Sequence, residues 1–169
     1  MIVIVCIDLA LPLLWAVLTY NRLIQLRNQV RTAWSDIDVQ LVRRHEMIPQ
    51  LVDAVRAFAG HESALLQAVT ELRRRALATR HRGELAQTED ELQGAVEQLL
   101  ALEESYPGLK ASENFLRLQR DLVQVEDQLQ YARRFYNGAV RDHNDAVERF
   151  PARLLAGALG FAAESFFSA

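Results

Sequence analysis

Cysteine is all but missing. Cys6 stands alone in 169 residues, which fits a compartment that does not rely on disulfides. Glycine (7) and proline (4) are scarce, and few windows are rich in strand-forming residues, so the chain is expected to be helical, with no sheet. Lysine is nearly absent: Lys110 stands against eighteen arginines, a bias that reflects genome composition rather than mechanism. The net charge of −3 supplies no global basic field, so nucleic acid is not expected as a partner.

Reaction chemistry is lacking as well. His45-Glu46 and His61-Glu62 each begin like a zinc-protease motif, but neither has the second histidine at i+4. The di-iron bundle signature needs Glu three residues before His, and those positions hold Val42, Phe58, Ala78 and Val140. No nucleophile–base pair stands out either. The sequence predicts a protein that is not an enzyme and takes no cofactor or metal.

What the chain does have comes first. Ile2 to Thr19 is an apolar run of eighteen residues with a single charge, Asp8. As a helix it would be about 27 Å long, close to the ~30 Å hydrocarbon thickness of a bilayer. No Lys or Arg precedes it and Leu18-Thr19-Tyr20 is a poor cleavage site, so it reads as an uncleaved transmembrane anchor rather than a signal peptide. A lipoprotein reading through Cys6 fails, because five residues cannot hold the segments a signal needs. Arg22, Arg27 and Arg31 follow the run, which predicts one pass through the cell (inner) membrane, N-terminus out, with the C-terminal domain cytoplasmic. Asp8 would cost roughly 2.5–3.5 kcal/mol at mid-bilayer. It either faces a partner helix or marks a shifted register.

Residues 21–150 carry helical periodicity. Phe115, Leu118, Leu122, Val125, Leu129, Ala132, Tyr136, Ala139, His143, Ala146 and Phe150 alternate gaps of three and four, the seam of a long helix packed in coiled-coil fashion. Ser112 can cap its start, and Phe150-Pro151 stops it. Leu23, Leu26, Val30, Ala33 and Ile37 repeat the spacing directly after the anchor. A second helix is marked from Ile48 to Leu72 and a third from Leu92 to Leu102, with turns at Arg82-Gly83 and Tyr106-Pro107-Gly108. A break between His45 and Pro49 is favoured over a mere kink. The expected fold is therefore all-α: an N-terminal transmembrane helix (1–20) continuing into an up-down antiparallel four-helix bundle (21–150), then an apolar tail (151–169). Asn21 with Asn28, and Asn137 with Asn144, are spaced by seven; they either fix register across the bundle or are simply exposed.

Two stretches suggest contacts. Arg73, Arg74, Arg75, Arg80 and Arg82 precede the acidic run Glu84, Glu89, Asp90, Glu91, Glu97, Glu103 and Glu104. They either complement it in a hairpin or meet anionic lipid, at about 1 kcal/mol per residue. In the tail, Leu154, Leu155, Leu159, Phe161, Phe166 and Phe167 need burial against the bundle, the bilayer or another copy. Asp8, Arg73, Arg74, Arg75, Leu155, Leu159, Phe161, Phe166 and Phe167 are the leading interaction candidates, and a homo-oligomer is expected.

Several blocks resemble the LemA family. They are Tyr20-Asn-Arg-Leu-Ile, Arg27-Asn-Gln-Val, Ala33-Trp-Ser-Asp-Ile-Asp-Val-Gln-Leu, Arg43-Arg-His-Glu-Met-Ile-Pro-Gln-Leu-Val and Ala59-Gly-His-Glu. Glu104-Ser-Tyr-Pro-Gly-Leu-Lys-Ala, Glu113-Asn-Phe, Ala132-Arg-Arg-Phe-Tyr-Asn and Phe150-Pro continue the match in order, while residues 73 to 98 match little. His143-Asn144 stands where the family often has Tyr-Asn. The resemblance implies a bacterial membrane protein with one anchor, a helical-bundle domain and no established enzymatic activity. It also implies a membrane-protein partner, since some relatives occur beside HtpX-type membrane proteases. The combined reading is a membrane-anchored scaffold or adaptor presenting a long bundle surface to partners or to copies of itself. The alternative is a membrane-organising module that meets lipid through its arginines and tail.

Overall fold

With so few helix breakers, helix takes up most of the chain. The computed structural model describes the backbone of residues 2–167 and the side chains of residues 10–167. Six α-helices follow in order: α1 Ile2–Arg56, α2 Ser63–Ala78, α3 Arg82–Ala101, α4 Pro107–Lys110, α5 Glu113–Glu148 and α6 Ala152–Ala158. A 3-10 turn spans Leu102–Glu104, and no strand occurs among the described residues.

The all-α expectation holds, but its membrane-spanning part must be corrected. Among the described residues, no helix is long and apolar enough to cross a membrane. From Ala10 to Thr19 the apolar run covers only about 15 Å. An 18-residue stretch begun at Ala10 already takes in Asn21, Arg22, Gln25 and Arg27. The expected transmembrane helix is therefore withdrawn.

The break expected between His45 and Pro49 is also corrected, since α1 runs on to Arg56. Proline has no N–H, so the carbonyl four residues back loses its helical partner. That carbonyl belongs to His45, and Arg73 of α2 donates its Nε–H to it at 2.6 Å. A side chain from another helix thus repairs the gap that Pro49 opens. The chain turns later, where the N–H groups of Phe58 and Ala59 close onto the Val55 carbonyl.

Two compact units divide the chain: Met1–Ser35 with Arg134–Phe166, and Asp36–Arg133 with Phe167–Ala169. The second unit has a broad apolar core. Ile48, Leu51 and Val55 of α1, Leu66 and Val69 of α2, Leu92, Val96 and Leu99 of α3, and Phe115, Leu118 and Leu122 of α5 all pack in one cluster. Four helices meet there as a bundle requires. Phe115 N–H reaches Ser112 Oγ at 3.4 Å, the expected cap of α5.

In the first unit Leu23, Val147, Ala156 and Phe161 pack in one cluster, and Val30, Ala33, Tyr136, Ala139 and Val140 are buried as well. Its tail is fixed by hydrogen bonds. After α6, Gly160 adopts φ +72°, Phe161 N–H bonds the Ala156 carbonyl at 2.9 Å, and Gly160 N–H bonds the Gly157 carbonyl at 3.4 Å. This is a Schellman ending, which places glycine at the left-handed position. The turn brings Phe161 edge-on to Tyr20, with ring centres 6.1 Å apart, and under the Arg27 guanidinium at 4.9 Å. Asn144 then holds both backbone groups of Glu164, accepting its N–H at 2.8 Å and donating to its carbonyl at 2.9 Å. Asn21 and Asn28 are exposed. Asn144 therefore fixes the tail, and the first asparagine pair fixes no register.

Candidate functional site

Charged side chains seldom occupy the seam of a helical bundle, and two do so here. The inner line of α1 steps by four and three through Ile37, Leu41, Arg44, Ile48, Leu51 and Val55; that of α3 does so through Leu85, Glu89, Leu92, Val96 and Leu99. Arg44 is 2% exposed and Glu89 0%. Arg44 Nη1 donates to Glu89 Oε2 at 3.4 Å and lies 3.7 Å from Glu126 Oε2 of α5, while its Nη2 donates to Gln93 Oε1. The other Glu89 oxygen sits 2.7 Å from Nε2 of buried His45. At the edge of this cluster, Arg133 bonds Asp90 at 3.3 Å.

Burial pulls the Arg44 guanidinium below its ordinary pKa, and the attraction of Glu89 and Glu126 does not fully offset this. A buried pair of that kind does little for stability compared with apolar side chains, but specifies which helix faces meet. Both Glu89 oxygens are engaged by Arg44 and His45. The cluster is built as a pin between α1, α3 and α5. Among the described residues, no group of three His, Cys, Asp or Glu side chains could hold a metal ion.

In the sequence Glu89 reads as one member of an acidic run and Arg44 as one residue of a matching block, so neither is expected in the core. Their places in the four-three stepping were the available signal. Other blocks of the sequence meet in space. In the second unit Tyr106 donates its hydroxyl to Glu62 Oε1 at 3.0 Å, which raises the Tyr106 pKa. A Cβ at Gly108 would lie 3.0 Å from the Phe58 ring, so the Ala59-Gly-His-Glu and Tyr106-Pro-Gly-Leu-Lys segments form one close corner. In the first unit Trp34 stands edge-on to Tyr136 at 5.5 Å.

The expected interaction residues fall in different surroundings. The Asp8 side chain lies outside the described residues. Arg73 caps the His45 carbonyl, Arg74 forms a two-pronged pair with Glu71 at 2.8 and 2.5 Å, and Arg75 reaches Glu91 of α3 at 3.2 Å. Arg80 is exposed and Arg82 half-buried. In the tail Phe161 and Phe167 are buried, with the Arg133 guanidinium 5.2 Å from the Phe167 ring. Leu155 is half-buried, while Leu154, Leu159 and Phe166 are exposed.

The first unit also exposes Leu11, Leu13, Leu14, Val17 and Leu18 on α1, and Phe150 beyond α5. A groove of about 470 Å³ runs among Trp15, Arg22, Leu26, Asp145, Arg149 and Phe150. At 100° per residue, Leu11, Leu13, Leu14, Val17 and Leu18 lie within about 160° of one another, on one broad side of the helix. An exposed apolar face of that breadth favours cover by something other than water.

Residues 33–169 match the profile of the LemA family. The chain belongs to that family. Comparison with curated proteins finds no match. LemA membership and the helical fold are compatible with a helical scaffold, and membership is consistent with membrane association.

Proposed function

We propose that this LemA-family protein is a non-enzymatic helical scaffold that associates with a membrane and presents helix faces to protein partners or to copies of itself. The observation that carries this reading is the division of labour among its side chains. The buried ionisable groups of the second unit are tied to one another as structural pins. Large apolar side chains, from Leu11 to Leu18 and at Phe150 and Leu154, stand exposed in the first unit. Membrane association needs only that these side chains enter the interface, and the proposal includes no spanning helix.

A second reading, a lipid-organising module working through the arginines and tail, is favoured by the exposure of Leu154, Leu159 and Phe166. It gains less from Arg73, Arg74 and Arg75, each of which has a partner within its own unit. Crosslinking with mass spectrometry on the full chain in native membranes tests the scaffold reading. A small, recurrent set of proteins crosslinked to exposed positions of α1 and α5 supports it. Crosslinks found only within single copies of the chain, with neither another protein nor a second copy, overturn it.

A further inference from the structure

Helix α5 is buried along one side and carries a second, exposed stripe on the other. Leu116, Arg120, Val123, Asp127 and Tyr131 are all exposed, the last at 68%. At 100° per residue they fall within about 80° of one another, opposite the buried line of Phe115, Leu118, Leu122, Val125 and Leu129. Three apolar side chains thus alternate with one cation and one anion. Neither Arg120 nor Asp127 takes part in an ion pair among the described residues; the Arg120 Nε–H merely bonds the Leu116 carbonyl at 3.1 Å.

The order along this stripe is self-complementary. Laid against a second α5 running the other way about a twofold axis between Val123 and Gln124, Leu116 meets Tyr131 and Arg120 meets Asp127, each twice. Val123 lies beside the axis. We infer that this face of α5 is the contact with a second copy of the chain, in an antiparallel, twofold arrangement. An isologous contact needs one patch that complements itself when reversed, and two Arg–Asp pairs with apolar side chains between them meet that need. A parallel pairing would instead set Arg120 against Arg120 and Asp127 against Asp127. The contact extends over roughly 22 Å of each helix, so the dimer is weak, concentration-dependent and sensitive to salt. This inference deepens the scaffold reading by naming one of its faces.

Sedimentation equilibrium of the full chain in a mild non-ionic detergent is the test, with the apolar surface of the first unit masked. The wild type should dimerise reversibly. D127R places like charges opposite each other twice and should weaken the dimer by at least about tenfold. R120E/D127R restores opposite charges with their positions exchanged and should dimerise within about threefold of wild type. Circular dichroism should be the same for all three, because both positions face water. A wild type that stays monomeric at every concentration, a D127R variant that dimerises as wild type does, or a double variant as weak as D127R would each overturn the inference. Crosslinks to other proteins would survive any of those results, so the scaffold reading stands or falls separately.

Discussion

The two units of this protein solve the same packing problem differently. The second unit draws apolar side chains from four helices into one cluster and closes it with a buried Arg44–Glu89–His45 pin. The first unit has a small cluster around Leu23, Val147, Ala156 and Phe161, and holds its tail with backbone-directed hydrogen bonds from Asn144 and Tyr136. Several of its large apolar residues, among them Leu11, Leu14, Leu18, Phe150 and Leu154, are exposed. On the proposed reading one unit serves fold specificity and the other contact, which separates residues whose loss should harm folding from residues whose loss should harm association.

The largest effect should come from splitting the pin. Glu89→Leu leaves Arg44 and His45 buried without their carboxylate and should cost about 3–5 kcal/mol in urea unfolding. Arg44→Met combined with Glu89→Leu removes both charges and should recover at least half of that loss, because burial already outweighs attraction at Arg44. A double variant as unstable as the single would show that the pair stabilises the fold outright. Next in size, Phe161→Ala should cost roughly 3 kcal/mol, visible as faster hydrogen exchange in α6 and the tail. Phe166→Ala, at an exposed position, should change stability by no more than about 0.5 kcal/mol. Equal effects at the two positions would erase the distinction between docked and free aromatics of the tail.

Arg73→Ala leaves the His45 carbonyl without a donor above Pro49 and should cost about 1–3 kcal/mol in thermal unfolding. Arg80→Ala, from the same arginine run, should be within about 0.5 kcal/mol of wild type. Apart from the two near-neutral controls, the smallest effect belongs to Gly160→Ala, about 1 kcal/mol, because an L side chain is strained at φ +72°. No measurable change there would mean that the tail does not need its left-handed turn.

Much of this was legible in the sequence. The three-four spacing from Phe115 to His143 matches the buried line of α5, since only one face of a helix that long can be covered. Ser112 and Pro151 bracket that helix as their side-chain and ring chemistry dictates. Pro49 misled because its missing N–H is a local fact, whereas its remedy, Arg73, lies 24 residues away in sequence and arrives only through tertiary packing. The apolar N-terminal run suggested a membrane-spanning helix from composition, but the described helix turns polar from Asn21 onward. Arg44 and Glu89 were hidden for a simpler reason. A charge on a seam is read as surface unless the opposite charge on the facing seam is known, and which seams face each other is a property of the fold.

On the proposed reading, the exposed apolar side chains of the first unit are where the protein meets a membrane, while its buried charges serve the fold. Liposome flotation of the purified full chain tests this most directly, comparing wild type with a Leu11→Ser/Leu14→Ser/Leu18→Ser variant. All three positions are exposed, so the variant should keep its helical signal and its unfolding midpoint. Wild type should float with the vesicles and the triple variant should remain at the bottom of the gradient. A triple variant that floats as wild type does, or a wild type that never floats, would contradict that reading.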